Sequence, residues 1–147
     1  MPKCKYIEYN AFKDCYNLQS VNLPECSYIG ASAFTNCSSL QSIDLPACSY
    51  IGYSAFTDCY NLRTISLPDC GNIGDFAFKD CYNLSKIYLM GSSICSLSST
   101  YAFSSTPFDN YSVYFNGTPH IYVPSSLVSA YKTASNWRYY SKYFVGI

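Results

Sequence analysis

The sequence has little charge and lacks the motifs that most enzymes and membrane proteins carry. Charged residues make up 12% of the 147-residue chain, the nine basic and nine acidic residues cancel, and there is one histidine. This balance argues against a general attraction to nucleic acid or to an anionic membrane surface. No apolar stretch approaches the eighteen or so residues of a membrane helix, and the N-terminus lacks the apolar core of a signal peptide. We therefore expect a soluble chain with no nucleic-acid partner and no membrane insertion.

The most prominent feature of the sequence is a repeat of 22 residues. The dipeptide Ala-Phe recurs at 11–12, 33–34, 55–56 and 77–78, and leucine recurs at 18, 40, 62 and 84 and again at 23, 45, 67 and 89. About half of the positions in each unit are nearly constant. A fixed period of this length is the mark of a solenoid, in which each winding buries its apolar side against the next.

The units match the leucine-rich repeat signature L-x-x-L-x-L-x-x-N/C. Leu18-x-x-Val21-x-Leu23-x-x-Cys26 is one instance, and its alternating part, Val21 to Leu23, predicts a short strand. Prolines 24, 46 and 68 follow these strands, glycines 30, 52 and 74 mark a second corner, and the A-F-x-[DN]-C segment predicts a tight helical turn. The predicted fold is a leucine-rich repeat solenoid of right-handed coils, with a parallel β-sheet on the concave face, short helical turns on the convex face and a C-terminal helical cap.

We assign residues 1–147 to a single leucine-rich repeat domain with three parts. Residues 1–91 hold the regular repeats, 92–119 an irregular repeat with an insertion of three, and 120–147 the last strand and the cap. YSVYF at 111–115 predicts a strand, HIYVP at 120–124 the last strand, and Ser125 or Ser126 an N-cap for the helix that follows.

Eight of the nine cysteines are spaced by eleven residues, which is half a repeat. Zinc sites instead require close pairs that converge on one point, so we expect no metal ion. Equivalent cysteines on neighbouring coils fall within the Cα range of a disulfide, but their parallel side chains suit a bridge poorly. We expect buried free thiols that act as small hydrophobic groups, with Cys95, which is out of register, as the best candidate for an exposed one.

Catalytic and cofactor sites are not evident. His120 precedes the predicted last strand and has no obvious carboxylate partner, which favours a surface or capping role. Asp14, Asp58 and Asp80, with Asn36, share one repeat position, so capping of a turn explains them without chemistry. Glycine-rich phosphate loops are absent. We predict that the protein is not an enzyme and holds no cofactor.

The side chains that alternate with the strand core are the candidate binding residues. They differ from coil to coil while the core stays constant, so they can carry specificity. The predicted concave face consists of Ser20, Asn22, Ser42, Asp44, Arg63, Thr64, Ser66, Lys86 and Tyr88. Edge contacts are predicted at Tyr16, Tyr60 and Tyr82, because exposed tyrosines often anchor interfaces. The row formed by Tyr6, Tyr28 and Tyr50 we interpret as a structural ladder.

These repeats resemble the BspA-like leucine-rich repeats of bacterial surface proteins, some protozoan proteins and phage-associated proteins, which share the wording IG..AF..C..L..I.LP. The ending IYVPSSLVSAYKTASNW also resembles that family. The resemblance covers essentially the whole chain and implies an adhesive or scaffold module whose partner is a protein, such as a host or cell-surface protein. One departure is that no N-terminal cap precedes Cys4, and we expect residues 1–10 to pair end to end in a homodimer.

Two alternatives stay open beside the protein-binding interpretation. Tyrosine beside serine and asparagine could stack on sugar rings and bind their hydroxyl groups, as a carbohydrate-binding module does. A small stand-alone inhibitor or decoy, as a phage might encode, fits the initial methionine, the missing signal peptide and reduced thiols. The expected compartment depends on which of these interpretations holds. A fragment of a surface protein would be extracellular or at the cell surface, and a full-length chain would be cytoplasmic.

Overall fold

In the computed structural model the chain winds into stacked coils whose strands form two parallel sheets. The structure describes residues 3–109 and 117–147. We number the coils from the cysteine that begins each unit, so that coils 1 to 5 begin at Cys4, Cys26, Cys48, Cys70 and Cys95. The strand predicted at 111–115 lies outside the described residues.

Sheet 1 is built from two-residue strands that follow the first cysteine of each coil. Its order is β1 (Tyr6–Ile7), β2 (Tyr28–Ile29), β4 (Tyr50–Ile51), β6 (Asn72–Ile73) and β8 (Ser96–Leu97). The second residue of each strand is buried and the first points outward. This sheet was not predicted, because two residues are too few to show an alternating pattern.

Sheet 2 contains the strands that the leucine-rich signature predicts. Its order is β3 (Ser42–Asp44), β5 (Thr64–Ser66), β7 (Lys86–Tyr88), β9 (His120–Val123) and β10 (Phe144–Gly146), all parallel. The strand predicted at Val21 to Leu23 is wrong. Those residues lie beside β3 without a regular ladder, and the nearest backbone hydrogen bond, from Gln41 N to Gln19 O, is long at 3.4 Å.

The third side of each coil, which we call the turn side, is made of consecutive turns. In coil 2 the N–H groups of Ala33 and Thr35 donate to carbonyls three residues earlier in the same coil, while Phe34 N donates to Ala55 O of the next coil at 2.7 Å. Successive N–H groups thus donate alternately within the coil and to the next coil. This alternation is imposed by non-glycine residues with positive φ, which in coil 2 are Ser32 and Asn36. Among the described residues of the turn side, the predicted helical turn is therefore found only in coil 5, as the 3-10 helix Thr100–Phe103.

Glycine at the second corner is required by the closeness of the coils. A Cβ atom on Gly52 would lie 2.7 Å from Ala31 N and 2.8 Å from Gly30 C. No glycine among the described residues has positive φ, so conformational freedom is not the reason for its choice. The prediction that a side chain is unwelcome here is confirmed.

The core is a stack of equivalent side chains, one from each coil. Phenylalanines 34, 56, 78 and 103 are fully buried and stack at ring distances of 5.1 to 5.4 Å with nearly parallel planes. The repeated leucines at 45, 67 and 89 are buried to the same degree. Successive coils thus share one apolar interior, as the repeat predicts.

The prediction that Cys95 is exposed is wrong. Cys95 is 1% exposed, and its thiol donates to Ser96 O at 3.6 Å. The neighbouring Cys70 and burial both raise its pKa. The insertion of three residues lies before Cys95 and restores it to the cysteine ladder, so the spacing of 25 residues from Cys70 matches that of Phe78 and Phe103. The exposed thiol is that of Cys15, and all nine cysteines are free.

The C-terminal cap closes the last coil with three short helical segments and a strand. Helix α1 spans Val128–Thr133, preceded by a 3-10 helix over Ser125–Leu127 and followed by another over Trp137–Tyr143. The predicted serine N-cap is wrong: Pro124 and Leu127 hold the cap positions, without a side-chain hydrogen bond. The strand at residues 120–123 is not the last one either, because β10 pairs with its outer edge.

Candidate binding surface

The outward side chains of sheet 2 form two straight columns, which together we call the sheet-2 face. The parallel register aligns Ser42, Thr64, Lys86 and His120 in the first column and Asp44, Ser66, Tyr88 and Tyr122 in the second. Between the columns the isoleucines of β3, β5, β7 and β9 point inward and are buried. The alternation of the strands therefore places six of the nine predicted face residues on one surface.

Ser20 and Asn22 reach the same surface without being part of a strand. They line a shallow groove together with Pro24 on one side and Ser42 and Asp44 on the other. The groove exists because coil 1 and β3 do not close a ladder here. Arg63 lies just before β5 and is exposed beside the first column.

The charged groups on the sheet-2 face are not engaged with one another. Within the part of the chain that the structure describes, the one ion pair joins Lys79 Nζ to Asp80 Oδ2 at 3.6 Å, on the turn side. Asp44, Arg63 and Lys86 are exposed and have no ion-pair partner in this part. These three side chains can therefore meet groups of opposite charge on a partner.

Two aromatic residues on this face were missed by the sequence analysis. The Tyr88 and Tyr122 rings stack at 4.6 Å with an angle of 12°, and the His120 ring lies 5.8 Å from that of Tyr122. His120 does not precede β9 but is its first residue, next to Lys86. Alignment of HIYVP with SIDLP would have found both, because it places His120 at the position of Ser42 and Tyr122 at that of Asp44.

The predicted edge tyrosines form a separate row at the end of the turn side. The rings of Tyr60 and Tyr82 stack at 5.4 Å and 3°. The Tyr16 pKa is raised by the charge of Asp14, followed by burial and a hydrogen bond to the same carboxylate. Burial raises the pKa of Tyr60, with Asp58 adding to the effect through its charge and a hydrogen bond.

The described residues contain no group of three or more histidine, cysteine or acidic side chains placed to hold a metal ion. Across residues 3–109 and 117–147, no helix has the length and apolar character that a bilayer crossing would demand.

A family comparison decides the classification. The sequence model of the BspA type leucine-rich repeat region matches residues 3–128 in six copies. The chain belongs to this family. No curated protein matches the chain. BspA type repeats are generally non-enzymatic and indicate a protein-interaction module, which agrees with the two sheets and the variable side chains on them.

Proposed function

We propose that this BspA type repeat region is a non-catalytic adhesion module of a single domain that holds a protein partner against the sheet-2 face. The observation that carries the proposal is the contrast between the two sides of each sheet-2 strand. The inward residue is isoleucine in β3, β5, β7 and β9, while the outward residues at one position change from Ser42 to Thr64 to Lys86. A surface that varies over a constant core can hold a specific pattern of groups.

The face offers distinct chemistry along its length. Asp44 and the serines of coils 1 to 3 form a polar end, while Lys86, Tyr88, His120 and Tyr122 form a cationic and aromatic end. Stacked tyrosines present large contact area with few rotatable bonds, which lowers the entropic cost of binding. Four strand spacings amount to about 19 Å, so the interface is of modest size.

Affinity capture from an extract of the native source tests the location of the interface. We compare the wild-type chain with the double variant Lys86→Glu, Tyr88→Ser and with the matched control Tyr28→Ser, Tyr50→Ser on sheet 1. The wild type and the control are expected to retain the same partner, and the sheet-2 variant is expected to lose it. Retention of that partner by all three proteins would contradict the proposed interface.

A glycan array separates protein binding from carbohydrate binding. No glycan is expected to bind the wild-type chain, since the cationic group Lys86 and the acidic group Asp44 suit complementary charges on a protein. Binding of a glycan that the Tyr88→Ser variant loses would replace the proposal with a carbohydrate-binding function.

A second contact belongs to the proposal, namely pairing of two copies through coil 1. Phe12, Leu18 and Val21 are only partly buried, whereas their equivalents in coil 2, which are Phe34, Leu40 and Ile43, are buried. An apolar edge of this kind can be covered by a further coil or by the same edge of a second copy.

A further inference from the structure

The turn side carries rows of aromatic rings that are spaced by one coil. On this side, aromatic rings at the same position of adjacent coils stack, as Phe12 does on Phe34 at 5.0 Å and Tyr60 does on Tyr82 at 5.4 Å. The coil spacing thus equals the centroid distance that stacked planar groups prefer.

One exposed row is interrupted. Equivalent positions in coils 1 to 4 hold Tyr16, Ser38, Tyr60 and Tyr82. The aspartate two residues earlier contributes to a raised pKa at both Tyr16 and Tyr60, which indicates that phenol and carboxylate lie close together in each of these coils. The two tyrosines are two coils apart, about 10 Å, which leaves room for one planar group above Ser38 at about 5 Å from each ring.

A second interruption lies on the same coil. Tyr9, Ala31 and Tyr53 occupy equivalent positions at the other end of the turn side. Tyr9 and Tyr53 are among the more exposed tyrosines of the described chain, while Ala31 and Ser38 are half-buried beneath their neighbours. On the turn side, coil 2 therefore has small side chains at two positions where coils 1 and 3 carry tyrosine, which leaves a shallow depression between those tyrosines.

The floor of the gap at Ser38 is fixed by hydrogen bonds. Ser38 Oγ donates to Tyr16 O at 3.4 Å, and Asn61 Nδ2 donates to Ser38 O at 2.7 Å. Tyr16 and Tyr60 remain 55% and 39% exposed. The gap thus needs little rearrangement before a group enters, which lowers the cost of binding.

The charge around the gap is negative. The carboxylates of Asp14 and Asp58 are close enough to Tyr16 and Tyr60 to raise the pKa of these phenols, and Asn36 between them is neutral and donates to Asp14 Oδ1 at 2.6 Å. Lys13, next to Asp14, is exposed and forms no ion pair with a described residue. Lys79 pairs with Asp80 on coil 4 instead of approaching Asp58. A planar cation fits such a site best, because it stacks on both rings and donates hydrogen bonds to carboxylates.

We propose that the gap at Ser38 receives an arginine side chain of a partner protein, with its guanidinium between the rings of Tyr16 and Tyr60 and its N–H groups directed to Asp14 and Asp58. The inference rests on the proposed function only in that the partner is a protein. It concerns a different surface from the sheet-2 face, so a negative result for one contact leaves the other contact to be decided by its own test.

The test titrates N-acetylargininamide into the isotopically labelled chain and follows chemical shifts. We expect millimolar binding with ring-current shifts at Tyr16, Tyr60 and Ser38. N-acetylcitrullinamide, which is planar but neutral, is expected to bind several-fold more weakly, and N-acetyllysinamide, which is charged but not planar, likewise. The Lys86→Glu variant on the sheet-2 face should leave the arginine titration unchanged, whatever the capture experiment shows.

Two variants locate the site. Ser38→Tyr completes the tyrosine row and should abolish the shifts without loss of fold, because other coils hold tyrosine at this position. Asp58→Asn should weaken binding by roughly twofold to fivefold, as expected for an exposed ion pair, and Asn36 shows that asparagine suits this backbone conformation. Equal binding of the arginine and citrulline probes, or unchanged binding by Ser38→Tyr, would overturn the proposal.

Discussion

At the residue scale, the buried cysteines serve as small core residues that also donate hydrogen bonds. Cys37 Sγ donates to Phe12 O of the preceding coil at 3.1 Å, and Cys48 Sγ donates to Tyr50 O at 3.3 Å. Burial is the main reason that the pKa of each of these two thiols rises from 9.0 to about 12. The thiols therefore stay protonated in the folded chain at a pH where they ionise in the unfolded chain.

This difference predicts how stability depends on pH. A pKa that is raised on folding leaves stability unchanged below the unfolded value and reduces it as the pH rises toward the folded value. The contribution of these two thiols to the free energy of unfolding should be constant up to pH 9. It should fall between pH 9 and about 12. Urea unfolding at several pH values measures it. The variant Cys48→Val should show a shallower alkaline fall, and an identical fall would contradict the assignment.

At the scale of elements, the C-terminal cap takes the place of a further coil. Its side chains bind backbone groups near β8 that another strand would otherwise pair. Tyr131 Oη accepts from Cys95 N at 2.9 Å, Trp137 Nε1 donates to Cys95 O at 2.6 Å, and Asn136 Nδ2 donates to Leu97 O at 2.7 Å. On sheet 2 the closure differs, because β10 adds a real strand to β9.

The substitution Trp137→Phe tests this closure. It removes the N–H donor and leaves the buried carbonyl of Cys95 with one partner fewer, so the free energy of unfolding should fall by about 1–3 kcal/mol, with a contribution from lost packing. Chemical denaturation followed by circular dichroism gives the value. Tyr139→Phe, at a side chain that is 44% exposed, is the matched control and should change stability by less than about 0.5 kcal/mol. Equal effects of the two substitutions would argue against closure by Trp137.

At the scale of the whole molecule, the two ends of the solenoid differ. The C-terminal end is covered by Tyr131, Trp137 and Tyr140, all 1% exposed. At the other end β1 has one neighbour in sheet 1, and coil 1 leaves its apolar residues partly exposed. The partly exposed apolar side chains of coil 1 are the area on which the proposed pairing of two copies depends.

We expect the chain to dimerise through coil 1 with rising concentration. Multi-angle light scattering should show the molar mass rising toward twice that of one chain. The double variant Leu18→Lys, Val21→Lys should keep the mass of a single chain, because pairing would bury two lysine side chains. Ile147→Lys, at an exposed position of the C-terminal end, is the control and should dimerise like the wild type. A single-chain mass for the wild type at several hundred micromolar would refute the pairing.

Much of the candidate site could be predicted from the repeat, and the failures have identifiable causes. The outward positions of β3, β5 and β7 follow from alternation alone, so Ser42, Thr64 and Lys86 were placed correctly. Cys95 was misplaced because a strict count of 22 residues assigns its position to Ser92 and ignores the insertion. Tyr122 and His120 were missed since their register with Tyr88 and Lys86 crosses a longer segment than in the other coils.

The sequence by itself determined which side chains face inward, because each coil repeats the same local pattern and Phe34, Phe56 and Phe78 need only their own coil's geometry to point to the core. The tertiary structure decided which backbone groups pair and how the ends are covered. Those outcomes depend on which backbone lies at hydrogen-bonding distance. Residues 21–23 of coil 1 form no regular ladder with β3, whereas β10 of the cap pairs with β9. Periodicity specifies the inside of a coil, and neighbours specify its edges.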